Sequence, residues 1–403
     1  NATAVDAVFD PNGAIVCRST LTNPGDGCVP YNLFGSGVNS PAAINYVEGA
    51  SHLSQTLKQD VFGASITGEP FSVPAGPVSI ALTAERRTEK VDGVNDPGSD
   101  SSTYLSGNYR TTTGKFGVTE GAIEAVVPIA NGEAWADTWD LQLAARATNY
   151  STAGFATTWK VGTTYSPIPD IKFRITRSRD IRAPNLEELF AGGTSSSGQG
   201  LDPFRTCNGS PCSATPLGVT FGSTDLKPEK ADTTGIGVVV QPTFLPGFSA
   251  SVDYWNIDIK GSIEALSTQA TIDLCFQGQT DLCSRLIRDS QGILVQVNRQ
   301  PFNLAQNIAR GLDFEASYRW SAEDMMDGLA GDLSLHGTAT KYIKNYRDNG
   351  IDEPTDTAGS NSGSAPPNWL YSVQFNYALD AFQAGLSMRG LSSGTYNNAY
   401  IEC

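Results

Sequence analysis

The most reactive side chains in the sequence are its seven cysteines, six of which fall in close pairs: Cys17 with Cys28, Cys207 with Cys212, and Cys275 with Cys283. Each pair lies in a polar, glycine-rich stretch, the setting of a loop disulfide formed in an oxidising compartment. Zinc fits worse. Structural zinc sites use Cys-x2-Cys pairs or nearby histidines, and His52 and His336 lie far from every pair. Cys403, alone at the last position, reads as a residue whose partner lies beyond this segment. Nucleophilic and phosphate-binding frames are missing. Gly107 and Gly114 before Lys115 are too far apart for a phosphate loop, and Phe116 stands where Ser or Thr is required. The serine-rich GGTSSSGQG at 192–200 has no Gly-x-Ser-x-Gly frame and reads as flexible loop. Two stretches, VDGVNDPGSDSS at 91–102 and YRDNGIDEPTD at 346–356, concentrate Asp, Asn and Gly as calcium loops do, without EF-hand spacing, and read as solvated acidic loops. No cofactor is expected, and catalysis is disfavoured; a hydrolytic outer-membrane barrel would be the rival in the enzyme class.

Whatever the chain does must then be carried by its architecture. The 403 residues carry a formal charge of −15, which repels a phosphate backbone and argues against nucleic acid as a partner. No run of apolar residues approaches the roughly 18 to 20 that a membrane-spanning helix needs. The dominant signal is instead a period of two. Trp369, Tyr371, Val373, Phe375 and Tyr377 alternate with Ser372, Gln374 and Asn376; Leu312, Phe314, Ala316, Tyr318 and Trp320 alternate with Asp313, Glu315, Ser317 and Arg319. The segments from Val78, Trp139 and Phe382 repeat the pattern. Each such strand has one apolar and one polar face.

Alternation alone allows a soluble sandwich with its apolar faces inward or a membrane barrel with them outward. Two features favour the barrel. Trp139, Trp320 and Trp369 sit at strand ends, where an interfacial girdle belongs, and the polar faces carry both signs of charge, as a wet lumen tolerates. Connections also divide in two. Short ones with Pro or Gly fall near 74, 134, 166–170, 241–247 and Asp380, whereas long polar ones span 89–113, 181–227, 261–304 and 345–367. Tight turns at one end and long loops at the other are the asymmetry of outer-membrane barrels. About twelve strands are expected, the first descending near residue 56 and the last ascending near 390.

Several stretches resemble the TonB-dependent receptors, in particular a group common in sphingomonad-like and caulobacter-like bacteria. FRITRSRDIRAPNLEELF at 173–190 is similar to that family's ascending strand and the start of an outer loop. DLKPEKADTTGIGVVVQP at 225–242, the following FSASVDYWNIDIKGSIEAL, and the cysteine loop LCFQGQTDLCSRLIRDSQG with NLAQNIARGLDFEASYRW resemble its next strands in order, and CVPYNLFGSGVNSPAAINYV resembles an outer loop. The resemblance implies an all-β transmembrane antiparallel barrel, with residues 1–403 as part of the barrel domain. It also implies that about twelve strands of a 22-stranded barrel are present, with the plug, the first strands and the last strands outside the segment. It implies location in the bacterial outer membrane and TonB-coupled uptake of a scarce solute such as a siderophore, vitamin or oligosaccharide. A passive porin, or a surface adhesin or structural barrel, is the alternative. The implied partners are the lipid bilayer and lipopolysaccharide, TonB through a region outside the segment, and a small-molecule ligand. Arg182, Asn185, Phe204 and Arg205 are the candidate ligand contacts in the outer loops.

Overall fold

The computed structural model describes residues 2–396 apart from 102, 105–107, 326–327, 352, 362 and 364; Cys403 and the C-terminal segment that holds it lie outside the described residues. Twelve long strands form one antiparallel meander in which each pairs with the next in sequence. We number them β1 Leu53–Val73, β2 Gly76–Asn95, β3 Thr113–Glu133, β4 Ala136–Tyr150, β5 Gly154–Ile168, β6 Ile171–Arg182, β7 Glu229–Val240, β8 Phe248–Ala265, β9 Pro301–Ser321, β10 Asp332–Asp348, β11 Trp369–Leu379 and β12 Phe382–Leu391. A two-residue strand, Thr355–Asp356, adds to β10. Among the described residues no pairing joins β1 to β12, so the sheet is open at both edges. No helix among them is long and apolar enough to cross a membrane, which leaves crossing by strands untouched.

Registers carry the two-residue period across the whole sheet. Phe248 pairs with Tyr318, which pairs with Leu335, which pairs with Phe375, which pairs with Leu386. The same continuity places Ser251, Glu315, Thr338 and Ser372 together on the opposite face. Loop helix Leu186–Phe190 packs over that second face, against Phe116 and Val118 of β3, so we call it the inner face. Gly114 makes the approach possible: a Cβ there would meet the Phe190 ring at 2.2 Å. The outer face is a continuous apolar belt with little burial, where Ile66, Leu82, Phe173, Ile175, Ile236, Leu335 and Leu386 on strands β1 to β12 stay exposed. At the tight-turn end the belt finishes in aromatic contacts, Trp139 with Trp135 and Tyr165, Phe248 with Tyr318, Tyr318 stacked on Trp320, and Tyr377 with Phe382. Aromatics in that position suit an amphipathic interface.

Proline explains the irregularities near this end. The register shifts between Gly68 and Phe71, Pro128 and Ala130, and Tyr165 and Ile168 each coincide with a proline, Pro70, Pro128 or Pro167, which cannot donate to the ladder. The two-residue turn at 380–381 uses Asp380 at φ 49°, a left-handed conformation that Asp tolerates better than most residues.

Long connections all lie at the other end, but they are shorter than composition implies. β2 runs to Asn95, β8 to Ala265 and β9 starts at Pro301, inside stretches expected to be loop, and the connection at 151–153 on this side is itself tight. The reason is physical. Above the belt the faces exchange polarity: Val91, Phe116, Val118, Trp255, Ile257 and Ile259 now occupy the inner face, and Lys90, Lys115, Asn256, Asp258 and Lys260 the outer one. A reading for outward apolar residues therefore ends each strand too early.

Candidate functional site

Two rows of the inner face show how side chains are arranged on that side of the sheet. Arg174 of β6, Gly237 of β7 and Asp253 of β8 are register partners, and the Arg174 guanidinium reaches over the glycine to donate to both Asp253 oxygens, at 2.6 and 2.5 Å. One step toward the loops, Trp255 lies over Gly311 and meets Tyr342 edge-on, with centroids 5.9 Å apart. Other inner-face charges are also paired: Arg87 with Glu85 and Glu89, Arg146 with Glu120, and His336 with Glu315, while Thr340 donates to Asp313 at 2.7 Å. The face is polar, and several of its charges are matched by neighbours, as a hydrated wall allows.

Above it the loops form one cross-braced unit. Residues Leu217–Thr220 of the β6–β7 loop run parallel to Leu294–Arg299 of the β8–β9 loop, and a four-stranded sheet results when Thr194–Ser197 and Leu286–Arg288 add at its edges. The serine-rich stretch is thus partly ordered strand, not flexible loop, because its backbone pairs with 217–220. Helix Thr268–Phe276, capped by Ser267, closes the sheet over a dry cluster of Ile272, Leu294 and Val297. Two disulfides fasten the unit, Cys207–Cys212 across a hairpin and Cys275–Cys283 behind the helix, and a third, Cys17–Cys28, closes the N-terminal loop. All three pairs match the sequence reading. Asp202, whose side chain is 2 % exposed, receives two hydrogen bonds from Arg288 at 2.6 and 2.8 Å. Arg288 holds the Asp202 carboxyl below the usual range, against the opposing effect of burial.

The residues proposed as ligand contacts divide between two places. Arg182, at the top of β6, donates to both oxygens of Glu188 at 3.0 Å and to both oxygens of Glu229 at 2.9 and 2.6 Å, so it ties the wall to the loop helix. Asn185 caps that helix, accepting from the Glu188 N–H at 2.8 Å, while the Glu188 carboxylate accepts from the Asn185 N–H. Phe204 meets Phe276 edge-on at 5.2 Å and lies under Arg288. Arg205 is exposed on the same hairpin and belongs, with Phe204, to a region apart from Arg182 and Asn185. Three of the four thus carry internal contacts.

The acidic stretches are also engaged internally. Asp96 accepts from Ser99, from the His52 N–H and from the Tyr104 hydroxyl, which together hold its carboxyl well below the ordinary range. Asp348 accepts from the Gly350 N–H, and Asp356 from those of Asn345 and Ala358. Ser102 and Asp352 of these stretches lie outside the described residues.

Two cavities of about 480 Å³ open between loops and wall. One is lined by Asn185, Glu188, Thr220, Phe221 and Ile263. The other holds two arginines that sequence reading missed, Arg299 and Arg347. Arg347 is paired with Glu264, whereas the Arg299 side chain donates to Ser196 Oγ at 3.3 Å, and its Nε is buried without a partner among the described residues. Trp255 and Tyr342 were missed too; a large aromatic out of step with the outward alternation of Val252 and Tyr254 was the signal.

This architecture has relatives. The model of the family described as TonB dependent receptor-like, beta-barrel, matches residues 29–401. Nothing among the curated proteins matches. Among solved structures, the chain resembles the ferric enterobactin receptor PfeA from Pseudomonas aeruginosa in a single-site variant (TM-score 0.57, 16% identity, 87% of this chain and 44% of that one). It also resembles the siderophore receptor PirA from Acinetobacter baumannii (TM-score 0.55, 15% identity, 84% of this chain and 44% of that one). At such identities the likeness is one of fold, and the chain spans less than half the length of these receptors. With the family's model matched from the N-terminal loop to beyond β12, the chain belongs to the TonB-dependent receptor β-barrel family.

Proposed function

We propose that the chain supplies wall strands and outer loops to an energised uptake receptor of the Gram-negative outer membrane, one that captures a scarce solute at the loops and passes it through a lumen. The observation that carries this reading is the braced loop unit, which stands over a polar inner face and leaves two cavities at their junction. A pore that only sieves has no need of so rigid a cover. Siderophores, vitamins and oligosaccharides are the solute classes in view, and the unpartnered Arg299 Nε favours one with an anionic group. Arg182, Asn185, Phe204 and Arg205 remain candidate contacts, Asn185 through its place in the lining of one cavity and Arg182 through its bonds to Glu188 of the same lining. The open edges at β1 and β12 fit a larger closed barrel, 22-stranded in this reading, since unpaired edges are not tolerated in lipid. Plug and TonB contact belong to the rest of that protein, and the sphingomonad-like group is the proposed subfamily.

Uptake in a strain deleted for the gene tests the proposal. Loss of growth on one scarce solute, restored by the gene only when TonB is intact, is the expected result. Restoration without TonB establishes the passive porin instead. No uptake defect under any limitation, with loss of surface attachment, establishes the adhesin.

A further inference from the structure

Four ionisable side chains line the cavity between the β8–β9 loop and β10: Glu264, Arg299, Arg347 and Glu353. Glu264 and Arg347 neutralise each other in an ion pair. Among the described residues neither Arg299 nor Glu353 has an ionic partner, so one cation and one anion remain over. The cation stands where proteins ordinarily avoid one. Arg299 ends the strand Leu294–Arg299, and its guanidinium crosses Gly218 beside the first residue of helix Thr268–Phe276: a Cβ on Gly218 would meet Thr268 Oγ1 at 3.0 Å and Arg299 Cζ at 3.4 Å. A helix N-terminus carries partial positive charge, so a cation there is unfavourable until an anion joins it. The first turn, which begins Thr268, Gln269, Ala270, supplies none, and both Ala270 and the cap Ser267 line the same cavity. Because Arg299 Nε is buried, the two terminal nitrogens are the donors left to meet an anion end-on. Glu353, exposed, is held two residues before Thr355, which pairs with Arg347 of β10. Leu304 and Ala305 give the same lining an apolar part.

Complementary chemistry identifies the occupant as a solute with a carboxylate for Arg299 and the helix end, an ammonium for Glu353, and an apolar body for Leu304 and Ala305. A solute with anionic groups alone answers Arg299 and leaves Glu353 unmatched. The cavity, about 480 Å³, is several times what a single amino acid fills and lies in the range of small-molecule sites. We propose that it binds a short peptide by its free carboxyl and amino termini. This rests on the uptake reading above and names a solute class for it.

The test uses the full-length receptor in nanodiscs and isothermal titration calorimetry. The probes are the tripeptide Ala-Leu-Ala with free ends, the same peptide amidated at its C-terminus, the same peptide acetylated at its N-terminus, and succinate as an anion without an amine. Each block is expected to weaken binding to the wild type about tenfold, the loss of one charge-assisted contact. Arg299→Gln is expected to bind the free and amidated peptides equally while still discriminating against the acetylated one, and Glu353→Gln to do the reverse. Equal weakening toward all three peptides in either variant marks a structural role and overturns the proposal. So does the wild type if it binds the three peptides equally, binds succinate as tightly as the free peptide, or binds no peptide at millimolar concentration. These wild-type comparisons decide even if a variant does not assemble. A receptor that supports TonB-dependent uptake of another solute, yet binds none of the peptides, sinks this inference alone and leaves the transport reading standing.

Discussion

Arg174 and Asp253 are joined across an intervening strand, and what permits the reach is the missing side chain of Gly237 between them. A Cβ on Gly237 would sit 1.9 Å from Asp253 Oδ1 and 2.9 Å from Arg174 Nε. The same device recurs one row on, where Trp255 lies across Gly311. Glycines in these strands are therefore clearances for inner-face side chains, despite their cost to strand stability.

Gly237→Val is expected to break the Arg174–Asp253 pair while keeping the fold. Because the pair is partly exposed, the loss should be small, about 0.5 to 1 kcal/mol. A double-mutant cycle with Asp253→Asn checks this: the second change should add almost nothing in the Gly237→Val background. Independent, additive losses would mean that the glycine has another role.

Arg182 is expected to act on the loops before it acts on any ligand. Removing it leaves Glu229, 9 % exposed, without its cation though still bonded by the Ile263 N–H, so Arg182→Ala should cost about 2 to 4 kcal/mol in the local opening of residues 183–228. Arg182→Lys should recover less than half of this, since lysine cannot form two forked contacts. Hydrogen exchange of the loop amides reads the effect. Unchanged protection with weakened ligand binding would assign Arg182 to the ligand.

The Asp202–Arg288 pair gives the loop unit an acid limit. The Asp202 pKa is lowered by folding from 3.8, so its contribution is fully present above that value and fades as pH falls through the lower, folded-state value. Loop protection should hold at pH 5 and fall in strongly acidic buffer. Asp202→Asn should abolish that acid step, at a cost of about 2 kcal/mol at neutral pH, less than for a fully enclosed pair because Arg288 is a quarter exposed.

Cys275 and Cys283 stand eight residues apart, and their disulfide closes a short loop behind helix Thr268–Phe276. Replacing both with serine should cost about 2 to 3 kcal/mol. Opening is expected first at Ile272, seen as faster amide exchange there, while exchange within the twelve wall strands stays unchanged.

How much of this was legible in the sequence depended on which solvent each face meets. Where the outer face is apolar, as from Leu312 to Trp320, strand, face and register could all be read from alternation. Where it turns charged, as from Lys90 on β2, the strand continues with its polarity reversed and reads as loop. The cysteine pairs were legible because short separations restrict the options. The loop sheet was not, since the parallel pairing of Leu217–Thr220 with Leu294–Arg299 joins segments more than seventy residues apart with no local signature. For the same reason the internal roles of Arg182, Asn185 and Phe204, whose partners include Glu229 and Phe276, left no trace in spacing.

The membrane-facing assignment is tested most directly by spin-label accessibility in the full-length protein reconstituted in lipid, with Cys403→Ser as background. Labels at Ala250, Ala316 and Ala339 on the outer face should favour dissolved oxygen over a water-soluble nickel chelate. Ser251, Ser317 and Thr338 on the inner face should favour the chelate, as should Asn256, outward but above the belt. Chelate access at Ala250, Ala316 and Ala339 equal to that at the inner positions would contradict the account.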